Sequence, residues 1–465
     1  MKFSKNYILF FLLIASMFFG ALSPSLTVIA MVLSAIISLL IGFSRETNYS
    51  ISIGIILLLC FQNFAIGTGA HLANNSSDTL KYITQIPFIS STIIFISLVL
   101  RRPKIENDKH FILLLLALLF SLVLGHGSIN AILMNVRNMT VFYVAYRIGY
   151  TTINSQAEKL KFYAAINTIS FLMLIVGIIL LIGNYSLYSI LGINEVYIAK
   201  GDEITGNALN GRFYTDIGQS ILLRMGSLYY EPVNLSYFFA AIVILSIFFN
   251  EVPQKVKIKN VLVSATGLLL CLGKGGIIVA IATIIIIKSA NFYKKISKNK
   301  NMRRKIKQVT VLILAATAVI CILYYQKVGG TVKPHFWGVM QTWTNCIKTP
   351  FGHGLGTGGN MSTLFGNNAD NWLSTGGESG FMSFLYQLGF QGMLIFCICF
   401  IKTGTIKKEW GKENDMQKAC MILPLILLTV SVLQENTFTP QCIVPFMLII
   451  GGYNRTISKY SYDKN

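Results

Sequence analysis

Charged residues are scarce in this chain: only 12% of its 465 residues are Asp, Glu, Lys or Arg. Soluble domains carry about 25% of these residues, so the shortage excludes an ordinary soluble protein. Hydrophobic residues make up 54% of the chain. They recur in apolar runs close to the ~20 residues that a helix needs to cross a bilayer. The sequence predicts an all-α, polytopic integral membrane protein, with residues 1–465 forming a single membrane domain in the lipid bilayer.

Acidic residues are the scarcer kind, with 18 Asp and Glu against 39 Lys and Arg, which gives a net charge of +21. The basic residues cluster in short loops between apolar runs, where Lys and Arg set membrane topology. We therefore expect no nucleic-acid partner. The eight cysteines show no metal-ligand spacing, and no acidic cluster suggests a divalent ion. The sequence thus predicts no metal and no cofactor.

The apolar pattern predicts about 14 transmembrane helices (12–14). The predicted spans are residues 7–22, 25–43, 50–66, 84–100, 110–125, 129–149, 163–183, 234–250, 260–273, 275–290, 308–325, 379–401, 419–434 and 439–453. With the N-terminus inside, every inner loop carries Lys or Arg, and the strongly basic segment 294–307 is one of them. The outer loops are nearly neutral. This asymmetry predicts that both termini are cytoplasmic.

Two of the predicted outer loops are long, at residues 184–233 and 326–378. Long loops without strong secondary-structure signals are often functional. These two also hold most of the polar side chains on the predicted outer face. We therefore expect the functional site to lie between them and the helix ends that they join.

The first long loop contains Arg212 and Arg224, followed by Glu231 and Pro232 at the mouth of a helix. The arginines suit an anionic ligand and Glu231 suits proton transfer. Interfacial anchoring and a helix-entry carboxylate explain the same residues equally well. Lys274 lies between two spans on the outer side. It either extends to phospholipid headgroups or binds a substrate phosphate.

The second long loop supplies the remaining candidates. They are Lys333 for phosphate, Trp337, Trp343 and Trp372 for stacking on sugar rings, and His353 and Glu378 for proton transfer. Tryptophan also belts membrane interfaces, so the stacking role has a structural alternative. His353 could equally be structural in its glycine-rich turn, and Glu378 could cap the following helix. The base remains open among Glu231, Glu378 and His353.

Four stretches of the chain resemble, in their order, motifs of the bacterial O-antigen polymerase and O-antigen ligase superfamily. They are RMGSLYYEPVNLSYFF at 224–239, LGKGG at 272–276, TPFGHGLGTGG at 349–359 and GESGFMSFLYQLGFQGMLIF at 377–396. The first 180 residues match only as generic membrane helices. The resemblance implies a metal-independent enzyme that acts on undecaprenyl-diphosphate-linked glycans at the outer face of the bacterial inner membrane.

By this resemblance, Arg212, Arg224 and Lys274 match diphosphate-binding positions. Ligase-like members carry a His-Asn pair where this chain has Glu378-Ser379, and an arginine in place of Lys274, which favours a polymerase. The expected activity is a glycosyltransferase that joins lipid-linked repeat units into O-antigen, capsule or exopolysaccharide. Its partners would be the glycan donor and acceptor, with a flippase and a chain-length regulator nearby. An O-antigen ligase and a transporter of lipid-linked sugars are the alternatives.

Overall fold

The fold is taken from a computed structural model of the chain. The model describes residues 4–75, 78–101, 105–200, 209, 212–217, 220–296, 332–360, 373–405 and 414–462. Helices up to residue 200 are α1 Lys5–Leu22, α2 Pro24–Gly42, α3 Tyr49–Leu72, α4 Leu80–Ile83, α5 Ile86–Arg101, α6 Asp108–Leu124, α7 Ile129–Thr152, α8 Gln156–Ile190 and α9 Ile193–Ala199. The later helices are α10 Pro232–Phe248, α11 Gln254–Cys271, α12 Lys274–Ile296, α13 Val332–Lys348, α14 Gly380–Gly404, α15 Asp415–Ser431 and α16 Pro440–Tyr462.

The predicted helical membrane class is confirmed in its coarse form. Each predicted span within the described residues coincides with a helix. By length and composition, seven helical segments of the described chain suffice to cross a membrane: α1, α2, α3, α4 with α5, α8, α12 and α14. The predicted span 308–325 lies outside the described residues. The number of crossings and their orientation stay predictions.

The helices pack closely because small residues stand where two of them meet. A Cβ on Gly149 of α7 would lie 2.3 Å from the Leu448 carbonyl oxygen of α16. A Cβ on Gly451 of α16 would lie 2.0 Å from the Tyr146 carbonyl oxygen of α7. Such close backbone approach suits helix packing in lipid, where apolar area alone gives little preference for helix–helix contact. It fixes α7 against α16, and both helices help to line the cavity described below.

The two long loops contain more secondary structure than the sequence predicts. In the first, α8 continues past a break at Asn184 (φ 50, ψ −145) and is followed by α9. Strand β1 Tyr214–Ile217 then pairs antiparallel with β2 Ser220–Leu223. These short elements are held by a buried cluster that includes Tyr188 and Phe213, whose rings meet edge to face at 4.9 Å. Such tertiary contacts give no periodic signal in the sequence.

The second long loop includes α13, which has an apolar face on its exposed side. Trp337, Met340, Trp343 and Ile347 are each about half exposed, at 53%, 52%, 48% and 60%. The opposite face packs against the α14 region, where Asn345 Nδ2 donates to the Ser374 carbonyl at 3.1 Å. An exposed apolar stripe with two tryptophans is typical of a helix at a membrane interface.

Candidate functional site

A polar cavity of about 140 Å³ lies where α3, α7, α10 and α16 meet the first long loop. Its charged lining residues are Arg137, Lys200, Arg212 and Glu231. Asn63 and Gln441 are among the amide side chains that complete the wall. Charged groups gathered in a cavity among apolar helices are costly to maintain, and they therefore make this cavity the candidate functional site.

Glu231 is the centre of this charged group. It occupies the N-cap position of α10, with Pro232 as the first helical residue, so the chain turns sharply and leaves the carboxylate at the helix entrance. Its side chain is only 10% exposed. Arg212 Nη1 lies 3.2 Å from one carboxylate oxygen and Lys200 Nζ lies 3.5 Å from the other. Burial opposes ionisation, but Lys200 and Arg212 outweigh it and hold the pKa of Glu231 below its ordinary value.

The two cations are positioned by the Tyr197 ring. Arg212 lies over this ring at 5.2 Å and Lys200 lies 5.5 Å from its centre. The Tyr197 hydroxyl donates to the Tyr230 carbonyl at 2.8 Å, which ties α9 to the residue before Glu231. Arg224 donates to the backbone carbonyl of Arg212 and does not line the cavity. Arg212 thus lines the cavity, whereas Arg224 contacts the backbone of Arg212.

Arg137 lies in the helical part of the cavity wall, on α7. It is 8% exposed, and its guanidinium donates to two amide oxygens. Nη1 reaches Gln85 Oε1 at 3.1 Å and Nε reaches Asn138 Oδ1 at 3.2 Å. The Gln85 side chain can accept this hydrogen bond because it lies in the turn between α4 and α5, outside either helix. In the sequence alone, Arg137 is only a charged residue within the predicted span 129–149.

Glu435 is a second glutamate at this end of the molecule, and it is partly buried. It begins the 3-10 turn Glu435–Phe438, and the next residue, Asn436, lines the cavity. Asn360 donates to both of its oxygens, from the backbone at 3.0 Å and from Nδ2 at 2.6 Å. Burial raises the pKa of Glu435 to about 7, and the Glu378 carboxylate contributes to the rise. Glu378 therefore lies near the site, while the N-cap of α14 is Ser379.

The glycine-rich segment at 352–359, called the brace below, hydrogen-bonds to α14 where that helix is broken. Gly389 adopts a left-handed conformation (φ 67), which frees the carbonyls of the preceding turn. The backbone N–H groups of His353 and Gly354 donate to the Tyr386 and Gln387 carbonyls at 2.9 and 3.1 Å. Phe390 N–H donates in return to the Pro350 carbonyl at 2.9 Å. Non-helical backbone buried among helices has to be satisfied in this way.

His353 belongs to this brace. Its ring stacks on Tyr386, with centroids 3.8 Å apart and planes 5° apart. Thr349 Oγ1 lies 3.1 Å from Nε2. Burial lowers the pKa of His353, which favours the neutral ring. These contacts fit the structural alternative better than a role as base.

The other predicted residues lie apart from the cavity. Lys274 is exposed at the start of α12, because Gly273 and Gly275 pack so closely on α10 that a Cβ would meet Ser236 Oγ and Tyr237 Oη at 2.1 and 2.2 Å. Trp337 and Trp343 lie on the exposed face of α13. Lys333 lies in α13, but its side chain is outside the described part of the chain, as is the whole of Trp372.

Comparison with known proteins identifies no relative of this chain, because no protein-family model, curated protein or solved structure matches it. Among the described residues, no three His, Cys, Asp or Glu side chains converge as a metal site requires. The ligand therefore has to be inferred from the charges and hydrogen-bonding groups around the cavity.

Sequence reasoning missed three residues of the site: Arg137, Lys200 and Glu435. A signal existed for Glu435, the only acidic residue between the last two predicted spans. A signal also existed for Arg137, since an ionisable residue within an apolar span suggests a site. Lys200 gave none, because its contact with Glu231 depends on the fold of α9.

Proposed function

We propose that the chain is a membrane glycosyltransferase that joins lipid-diphosphate-linked glycan units into a polysaccharide at the outer face of the bacterial inner membrane. One observation carries the proposal. Lys200 and Arg212 face a cavity among apolar helices, and beside it lies Glu435, a carboxyl group with a pKa of about 7. Cations suit a diphosphate leaving group, and a carboxylate that titrates near neutral pH suits a general base.

The reaction is a substitution at the anomeric carbon of the donor glycan. The hydroxyl oxygen of the acceptor unit forms the new glycosidic bond, and the bond between that carbon and the diphosphate oxygen breaks. Its electron pair leaves with the lipid diphosphate, where Lys200 and Arg212 stabilise the developing charge. The hydroxyl proton passes to Glu435, and the released lipid diphosphate is the second product.

Glu435 suits the proton-accepting role better than Glu231 does. Glu231 is held ionised by Lys200 and Arg212, which makes it a weak base and a strong structural partner. Glu435 accepts hydrogen bonds from Asn360, and its raised pKa gives it proton affinity near neutral pH. We therefore assign Glu231 to positioning the cations and Glu435 to proton transfer.

The sequence resemblance supports the same assignment from a second direction. The stretch at 224–239 supplies Glu231 and Asn234 to the cavity wall. The stretches at 349–359 and 377–396 form the braced break in α14 and place Glu378 close to Glu435. These three motifs thus lie at one end of the helix bundle, which the loop charges predict to be the outer end.

The test is complementation of a strain that lacks the gene. Surface glycan is run on a gel after restoring wild type, Glu435→Gln or Glu46→Gln. Glu46 is an exposed glutamate near the N-terminus, far from the site in the sequence, so its replacement is the matched control. We expect wild type and Glu46→Gln to give a ladder of repeat units, and Glu435→Gln to give a single unit at normal protein level.

Two outcomes would contradict the proposal. Long chains that accumulate on the lipid carrier in the deletion strain would indicate a ligase. Absence of any repeat unit at the outer face would indicate transport. A normal ladder from Glu435→Gln would retain the polymerase and remove Glu435 as its base.

A further inference from the structure

Arg137 is a buried cation that lacks a carboxylate partner among the residues that the structure describes. Its two hydrogen bonds go to the neutral amides of Gln85 and Asn138, and no Asp or Glu of the described chain forms an ion pair with it. These bonds use Nε and Nη1, so Nη2 has no protein acceptor among the described residues. A buried guanidinium without a counter-charge is strongly unfavourable unless something else supplies the negative charge.

Another buried arginine of the same helix has a carboxylate counter-ion within the protein. Arg147 is 1% exposed and its Nε lies 3.4 Å from Asp108 Oδ1, whose carboxylate also accepts from the Tyr143 hydroxyl at 2.6 Å. Helix α7 thus holds one arginine with an internal counter-ion and one without. Only Arg137 lines the cavity. The contrast indicates that the missing negative charge enters with a ligand.

We infer that Arg137 binds a phosphoryl group of the ligand in the helical part of the cavity. Lys200 and Arg212 already share Glu231, so with Arg137 the described part of the lining carries three cations and one carboxylate. The surplus of positive charge suits a doubly charged anion such as a diphosphate ester. A cavity of about 140 Å³ also has room for such a group, since a water occupies ~30 Å³.

The orientation of the Arg137 guanidinium and its remaining N–H groups both suit a phosphoryl ligand. Gln85 and Asn138 accept hydrogen bonds and so hold the guanidinium in place. The planar fork can then bind phosphate oxygens with its remaining N–H groups. This inference rests on the proposed function only for the lipid-linked source of the phosphate. A free phosphate or pyrophosphate offers the same chemistry, and the probes below separate these sources.

The experiment is thermal unfolding of the full-length protein in detergent, with inorganic phosphate, pyrophosphate, farnesyl diphosphate or farnesol added. We expect farnesyl diphosphate to raise the Tm of the wild type, and at least about tenfold more of it to be needed for Arg137→Gln. Arg45→Gln removes an exposed arginine near the N-terminus and is the charge-matched control. It should respond as the wild type does. Weaker binding of pyrophosphate than of farnesyl diphosphate would identify the lipid-linked source.

The Tm without ligand separates binding from a structural role. Removing a buried charge that lacks a partner should leave the Tm of Arg137→Gln unchanged or raise it, whereas Arg147→Gln should lower it by stranding Asp108. Equal ligand response in wild type and Arg137→Gln would overturn the inference. So would a ligand-free Tm that falls as far as that of Arg147→Gln.

Arg137→Lys and Gln85→Leu provide a second route if Arg137→Gln does not fold. Lysine keeps the charge and loses the fork, and leucine removes the acceptor that orients the guanidinium, so both should weaken farnesyl diphosphate binding. Wild-type affinity in both variants would also contradict the inference. Because the probes carry no glycan, probe binding through Arg137 together with a failed ladder test would reject the polymerase alone.

Discussion

Glu231 is buried and Glu435 is partly buried at one end of the molecule, and their surroundings move their pKa values in opposite directions. Glu231 meets two cations, and its pKa falls. Glu435 meets the amide groups of Asn360 and the nearby charge of Glu378, and burial raises its pKa to about 7. A pair of carboxyl groups separated in this way suits a division between electrostatic support and proton transfer.

The raised pKa of Glu435 predicts a pH dependence of stability. Its ordinary pKa of 4.5 rises to about 7 in the folded state, so the folded protein binds more protons between these values. The contribution of Glu435 to stability is therefore present below pH 4.5 and is lost as pH rises to about 7. Glu435→Gln should remove this loss, and its Tm relative to wild type should rise over that range. Parallel Tm profiles for the two proteins would contradict the assignment.

The cations around Glu231 predict a stability cost when its charge is removed. Glu231→Gln leaves Lys200 and Arg212 without the carboxylate that they share. The loss should be about 1–3 kcal/mol, below the value for a fully buried pair because the Arg212 side chain is 41% exposed. Denaturant unfolding in detergent measures it, with Glu46→Gln as the control. Equal stability of Glu231→Gln and wild type would show that the Glu231 carboxylate does not stabilise the fold through Lys200 and Arg212.

At the scale of elements, the broken helix α14 shows what the sequence could and could not predict. The glycines of 352–359 mark an unusual backbone, and the sequence indicates that this segment is special. Its role depends on contacts with Gly125, just after α6, and Gln387 of α14, which are distant along the chain. No local pattern encodes those contacts. His353 was therefore predicted as a candidate base, while the structure places it in a brace.

The brace predicts which glycines tolerate a side chain. Gly354 has φ 87, and a Cβ there would lie 2.2 Å from the Gly125 Cα, so Gly354→Ala should cost at least about 1–2 kcal/mol. Gly338 in α13 is the matched control. Its nearest neighbour to an added Cβ is 3.6 Å away, and alanine favours the helix by about 1 kcal/mol. Gly338→Ala should unfold no earlier than wild type. Equal Tm values for the two alanine variants would contradict the role of the brace.

At the scale of the whole molecule, hydrophobic runs predicted the helices well because each helix needs its own apolar length. Within the described residues, every predicted span coincides with a helix. The site was harder to predict because it joins α7, α9, the entrance of α10 and the turn before α16. Residues such as Lys200 and Glu231 meet only when these elements pack. A pattern within a single segment does not contain that information.

Loop charge predicts the orientation of the molecule. Lys and Arg lie mainly in the alternate loops that would be cytoplasmic, which predicts that both termini are inside and the cavity end outside. Alkaline phosphatase fused after residue 462 should be inactive, and the same enzyme inserted after residue 231 should be active. The reverse pattern would invert the orientation and place the cavity on the cytoplasmic side.

The most direct test of the central claim is chain elongation as a function of pH. Membranes from the deletion strain, which would accumulate lipid-linked repeat units, are supplied with purified wild type or Glu435→Gln. The account predicts long glycan from the wild type, with a rate that rises with pH and levels off above about 7, and no such rise from the variant. Wild-type protein that never extends the single repeat unit at any pH would contradict it.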